Sequence, residues 1–129
     1  MAQSMKVGEL SGETLAYLGD GVFELMVRKS LIEKANLPSG RLHKASQKYV
    51  GAAGQYEAMH LIEPMLSEDE LRYAKLGRNA KLTAGKKSNP AVHTAASGLE
   101  ALFGYLYAAG EIDRAWEIFN VIFEGLEQL

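Results

Sequence analysis

Apolar residues return every three or four positions along most of this chain, the spacing of helices with one buried stripe. Between Thr14 and Arg28 the returns are Leu15, Leu18, Val22, Leu25 and Met26, so that stripe is expected in a core. Ser11 stands as N-cap before it, Glu13 falls in the first turn, and Asn36-Leu37-Pro38 ends the pattern after about Ala35. A second helical region is expected from a Ser39 cap through Leu42, Ala45, Tyr49 and Ala52 to Ile62. Gly51 and Gly54 can break it, and Pro64 stops it. Ser67-Glu68-Asp69-Glu70 is a capping box opening a short helix to about Gly77. Asn79 to Pro90 reads as irregular, with Gly85, Lys86, Lys87, Ser88, Asn89 and Pro90 as loop signals. Helices are expected again from about Ala91 to Ala109, closed by Gly110, and from about Ile112 to Glu127. The last should bury Ala115, Ile118, Phe119, Ile122 and Leu126. No segment alternates with period two, so the expected class is all-α, five to seven helices and no sheet.

At 129 residues, 47% hydrophobic and 23% charged, the chain is expected to form one globular domain over 1–129. No apolar run approaches the roughly 18 residues of a membrane span, so no membrane partner is expected. The first ten residues, MAQSMKVGEL, lack a basic-then-apolar leader, and a cytoplasmic protein is the expectation. With no cysteine, disulfides, thiol catalysis and zinc–thiolate sites are excluded.

The net charge of −2 hides an uneven spread. No acid falls between Ala35 and Tyr56, where Arg41, Lys44 and Lys48 stand. None falls between Leu71 and Val92, against Arg72, Lys75, Arg78, Lys81, Lys86 and Lys87. After Glu100 the balance reverses, with Glu111, Asp113, Glu117, Glu124 and Glu127 facing Arg114. Such a middle permits a polyanion to dock, although solvated faces explain each run as well.

Two acids break the apolar pattern. Asp20 lies mid-helix between Gly19 and Gly21, where Asp is a poor choice and each Gly costs about 1 kcal/mol relative to Ala. Tyr17 and Glu24 lie three and four positions from it, on the stripe beside the apolar one. Taken alone, Asp20 is as well explained by capping a neighbouring helix or pairing with a basic residue. Glu100, in SGLEALFGYLY, is likewise an acid among apolar and small residues. Charges in such places are paired or bind metal. If two such helices shared a core, their carboxylates would call for a hard cation, Mg²⁺ or Mn²⁺, the chemistry that activates water against phosphodiesters.

LAYLGDGVFE resembles the signature helix of the ribonuclease III catalytic domain, and SGLEALFGYLY resembles that family's second acidic helix. Leu76-Gly77-Arg78-Asn79-Ala80-Lys81 lies between them, as in the short bacterial branch, Mini-ribonuclease III, which lacks the double-stranded-RNA-binding domain. The resemblance covers nearly the whole chain. It implies an all-helical endonuclease, active as a homodimer on double-stranded RNA with divalent metal and leaving 5′-phosphate and 3′-hydroxyl ends. It further implies maturation of precursor ribosomal RNA, 23S in particular. By position, Asp20 and Glu100 resemble the family's catalytic metal ligands. Ala16 and Ser97 stand where longer members carry acids one turn before each, which implies fewer ligand charges and weaker metal binding. Ser97, Glu13 and Glu24 remain auxiliary candidates; Glu13 otherwise serves its helix N-terminus, and Glu24 otherwise pairs with Arg28.

In this reading the catalytic domain itself holds the duplex, through phosphates and 2′-hydroxyls. The candidates are Arg78, Asn79, Lys81, Lys86 and Lys87, then Lys44 and Lys48, each against the alternative of ordinary surface solvation. His93 could touch RNA, whereas His43 and His60 pack or face solvent. Two rivals stand beside this: a helical duplex-RNA-binding module that has lost catalysis, and a protein-binding domain whose basic segment meets an acidic partner.

Overall fold

The computed structural model describes residues 6–84 and 90–128, and for 81–84 and 90 the backbone path alone. Among them are six α-helices and no strand: α1 (Gly12–Lys34), α2 (Ser39–Val50), α3 (Ala52–Ile62), α4 (Glu68–Ala84), α5 (Pro90–Ala108) and α6 (Ile112–Glu127). Short 3-10 turns at Val7–Glu9 and Glu63–Met65 complete the order. The all-α expectation holds. None of these helices is long and apolar enough to cross a membrane.

The helix ends follow local chemistry. Ser11 caps α1, its Oγ accepting from the Thr14 amide at 3.1 Å. Ser67 and Glu70 form the reciprocal box at the start of α4, Ser67 N–H donating to Glu70 Oε1 at 2.8 Å and Glu70 N–H to Ser67 Oγ at 3.2 Å. Gly110, with φ +79°, closes α5: Glu111 N–H donates to the Leu106 carbonyl and Gly110 N–H to that of Tyr107. The predicted second region is two helices, because the chain leaves helical geometry at Gly51. Ser39 is the first residue of α2 and Pro38 its cap, so the Ser39 cap is not observed.

α5 is the hub, packing on α1, α3, α4 and α6. Leu99, Ala101, Leu102, Phe103 and Leu106 are all buried, an apolar girdle expected of a central helix. Phe23 from α1 meets Phe103 and Phe119 edge to face, with centroids 5.3 and 5.6 Å apart. The stripe predicted for α6 is buried as expected, joined by Phe123.

Two expectations need correction. Leu25 was placed in the core stripe but is 67% exposed. Val22, Phe23, Met26 and Val27 fill the inward face of α1, and Leu25 points away from it. The helix predicted to end near Gly77 continues to Ala84, so Arg78, Asn79 and Lys81 lie on α4 rather than in a loop. Its glycine does not end it because Gly77 rests on α5: a Cβ there would come 2.5 Å from the Ser97 carbonyl oxygen and from Ala101 Cβ.

At its other end α4 is anchored by Arg114 of α6. That guanidinium donates to both Glu70 oxygens at 2.9 Å, to the Met65 carbonyl at 2.8 Å and to Glu117 at 3.0 Å. The hydrogen bonds from Arg114 hold the Glu70 carboxyl below its usual pKa, against the opposing effect of its burial.

Candidate active site

The position of Glu100 beside α1 follows from two glycines. A Cβ at Gly19 would lie 1.5 Å from the Glu100 carbonyl oxygen, and one at Gly104 would lie 1.9 Å from that of Leu15. At those two points α1 and α5 touch backbone to backbone, a separation that only glycine permits. Gly12 does the same for α4, where a Cβ would stand 2.4 Å from the Leu76 carbonyl oxygen. The Gly-Asp-Gly that weakens α1 as a helix is therefore half explained by packing: Gly19 makes the crossing, while nothing lies within 4 Å of a Cβ at Gly21.

Where α1, α4 and α5 converge they leave a cleft of about 400 Å³, lined by Glu13, Ala16, Tyr17, Asp20, Gly77, Ala80, Ser97 and Glu100. Asp20 is exposed, Glu100 half-buried and Ser97 buried. The fold thus brings together four of the residues singled out from the sequence: Asp20, Glu100, Ser97 and Glu13. Their side-chain donors are oxygens, the set a hard divalent cation accepts. Among the described residues no three His, Asp or Glu side chains are grouped closely enough to hold a metal by themselves. A divalent cation held there by carboxylate oxygens would leave its remaining positions to water or phosphate.

Other candidates stand elsewhere. Glu24 does not line the cleft; it accepts from Arg28 Nη2 at 2.5 Å, the pairing foreseen for it. Arg78 is half-buried on α4, its stem over Gly98, where a Cβ would come 2.8 Å from Arg78 Cγ. Asn79 is exposed beside it. The backbone of Lys81 continues α4, while Lys86 and Lys87 lie outside the described residues. Lys44 and Lys48 are exposed, with Arg41, on α2, which packs on α1, α3 and α6. His43 and His60 are exposed and His93 is half-buried.

Two surface features go beyond what the sequence predicts. Tyr17 borders the cleft yet is 85% exposed. With Leu25 and Ile32, 67% and 57% exposed, it forms an outward apolar stripe on α1. A groove of about 550 Å³ lies beside that stripe, lined by Arg28, Leu31, Ile32, Ser39, Gly40, Leu42, His43 and Ser46. The signal for the stripe was present, since positions 17, 25 and 32 share one face, but periodicity alone counts Leu25 as core.

Comparison with known proteins gives a consistent picture. The profile of the ribonuclease III domain matches residues 13–111. The chain is 40% identical over 116 residues to Mini-ribonuclease 3 of Symbiobacterium thermophilum, covering 89% of each protein. It is 38% identical over 120 residues to Mini-ribonuclease 3 of a Thermoanaerobacter species, covering 92% of this chain and 84% of that protein. A crystal structure of a Fusobacterium nucleatum protein superposes with a TM-score of 0.82 at 27% identity, spanning 95% of this chain and 98% of the other.

Proposed function

The chain belongs to the ribonuclease III domain family, alongside the Mini-ribonuclease 3 proteins it matches, and on that premise we propose that it is a divalent-metal-dependent endoribonuclease acting on double-stranded RNA. The observation that carries this reading is the cleft in which Asp20 and Glu100, from helices far apart in sequence, line one wall system held together by Gly19 and Gly104. Asp20 and Glu100 bind the cation, Mg²⁺ or in substitution Mn²⁺, through carboxylate oxygens. Bound there, such an ion lowers the pKa of water and polarises a phosphodiester. A metal-activated water would attack the phosphodiester and displace the 3′-oxygen, leaving 5′-phosphate and 3′-hydroxyl ends. Arg78 and Asn79 on α4 meet the RNA backbone beside the cleft, with Lys81, Lys86 and Lys87 extending that contact along the chain and Lys44 and Lys48 adding one on α2. Phosphate contacts of this kind position the duplex without reading its sequence. Precursor ribosomal RNA is the proposed substrate, by family analogy alone.

The proposed active form is a homodimer. Tyr17, Leu25 and Ile32 make an apolar stripe on α1 with open space at Gly21 between them. A two-fold axis near Leu25 would set Tyr17 of one copy against Ile32 of the other, at the mouth of the 550 Å³ groove. Each cleft would then lie beside the interface, because Tyr17 borders both.

The direct test is cleavage of duplex RNA with Mg²⁺ by the Asp20→Asn variant. Loss of cleavage with retained helicity and RNA binding is expected; wild-type turnover in that folded variant would remove the assignment.

A further inference from the structure

Ser97 is buried, only 7% exposed, and lines the cleft one turn before Glu100. Its turn of α5 is clamped, since Gly77 of α4 leaves no room for even a Cβ against the Ser97 carbonyl. A helical serine ordinarily satisfies its hydroxyl by donating to a carbonyl one turn back. Among the described residues the Ser97 hydroxyl makes no such bond, nor any other. Among the described residues no side-chain oxygen that is wholly shut from solvent lacks a partner, so this hydroxyl keeps some access, on a residue that lines the cleft. A hydroxyl held this deep without a partner is unfavourable, and alanine would occupy the space without that penalty. The partner therefore comes from the contents of the cleft.

A hydroxyl both donates one hydrogen bond and accepts two. Two carboxylates leave most positions around a small divalent cation to water, whose hydrogens need acceptors. We propose that Ser97 is a positioning residue whose hydroxyl accepts a hydrogen bond from a water in the shell of the cation at Asp20 and Glu100. This rests on reading the cleft as a cation site, and the experiment separates the two.

Mn²⁺ binding to the full chain without RNA, followed by the electron paramagnetic resonance of free Mn²⁺, compares wild type with Ser97→Ala, Ser97→Cys and Asp20→Asn. Cysteine fills the serine's space but is a weak acceptor, so it controls for packing. Both Ser97 variants should weaken Mn²⁺ binding about 3- to 10-fold, with thermal unfolding of the metal-free protein unchanged or, for alanine, raised. The Mg²⁺ concentration for half-maximal cleavage should rise by the same factor, with the rate at saturating Mg²⁺ nearly preserved. Wild-type Mn²⁺ affinity in the Ala and Cys variants, with binding lost in Asp20→Asn, would overturn the role of Ser97 alone. Unchanged binding in Asp20→Asn would overturn the cation site itself.

Discussion

Gly19 and Gly21 flank the same aspartate and do different work. A methyl group at Gly19 meets the Glu100 backbone, which cannot turn aside, whereas one at Gly21 meets open space. Gly19→Ala should therefore lower stability by about 3 kcal/mol, the upper part of the overpacking range. Gly21→Ala should be neutral or raise stability of the monomer by up to about 1 kcal/mol, since Ala is the better helix former. Thermal unfolding of the two variants checks the contrast; equal losses would contradict this crossing. Glu24→Gln removes only an exposed pair with Arg28, about 0.3–0.5 kcal/mol, and should leave cleavage unchanged in a steady-state assay. The oddity of Gly-Asp-Gly was legible in the sequence as a helix built against its own propensity. Which glycine mattered was not, because the atom that decides it belongs to α5.

Among the helices, α4 departs furthest from its sequence pattern. Gly77, Asn79 and Thr83 are weak helix formers, so propensity ends the helix early. Packing of Gly77 and Gly98 across the α4–α5 contact outweighs that loss and carries the helix to Ala84. Arg78 is thereby held on a rigid element instead of a loop. Arg78→Ala should weaken duplex binding across unrelated sequences and reduce the slope of log affinity against log salt by about 1, measured by fluorescence anisotropy. The start of α4 should respond to pH. Glu70 has its folded-state pKa lowered, so its contribution is fully present above the ordinary carboxylate value and is lost as pH falls through the folded one. Stability should accordingly decline from about pH 4.3 downward, and Glu70→Gln should flatten that decline in denaturant titrations at several pH values. The capping box was readable from Ser67 and Glu70; Arg114, 44 residues further on, was not.

On the scale of the whole molecule, the α1 stripe of Tyr17, Leu25 and Ile32 holds the three most exposed large apolar side chains among the described residues. In the proposed dimer, Leu25→Glu would place like charges together at the two-fold axis and should yield monomers in analytical ultracentrifugation, with little change in monomer stability because Leu25 touches solvent already. Wild-type dimerisation of that variant would move the interface elsewhere. The folding of one chain brings Asp20, Glu100, Ser97 and Glu13 to a single cleft, whereas Lys44 and Lys48 remain on α2, away from its lining. The basic residues grouped by sequence are thus spread over at least two helices.

The all-α class, the caps at Ser11, Ser67 and Gly110 and the buried stripe of α6 were contained in the sequence, because spacing and capping act over one or two turns. Asp20 and Glu100 could be named there as misfits for the same reason. Their sharing of a cleft, the outward turn of Leu25 and the extension of α4 were settled by contacts between distant segments. Those contacts depend on backbone approaching backbone at Gly19, Gly77 and Gly104, and a glycine carries no mark in its own neighbourhood of what will press against it.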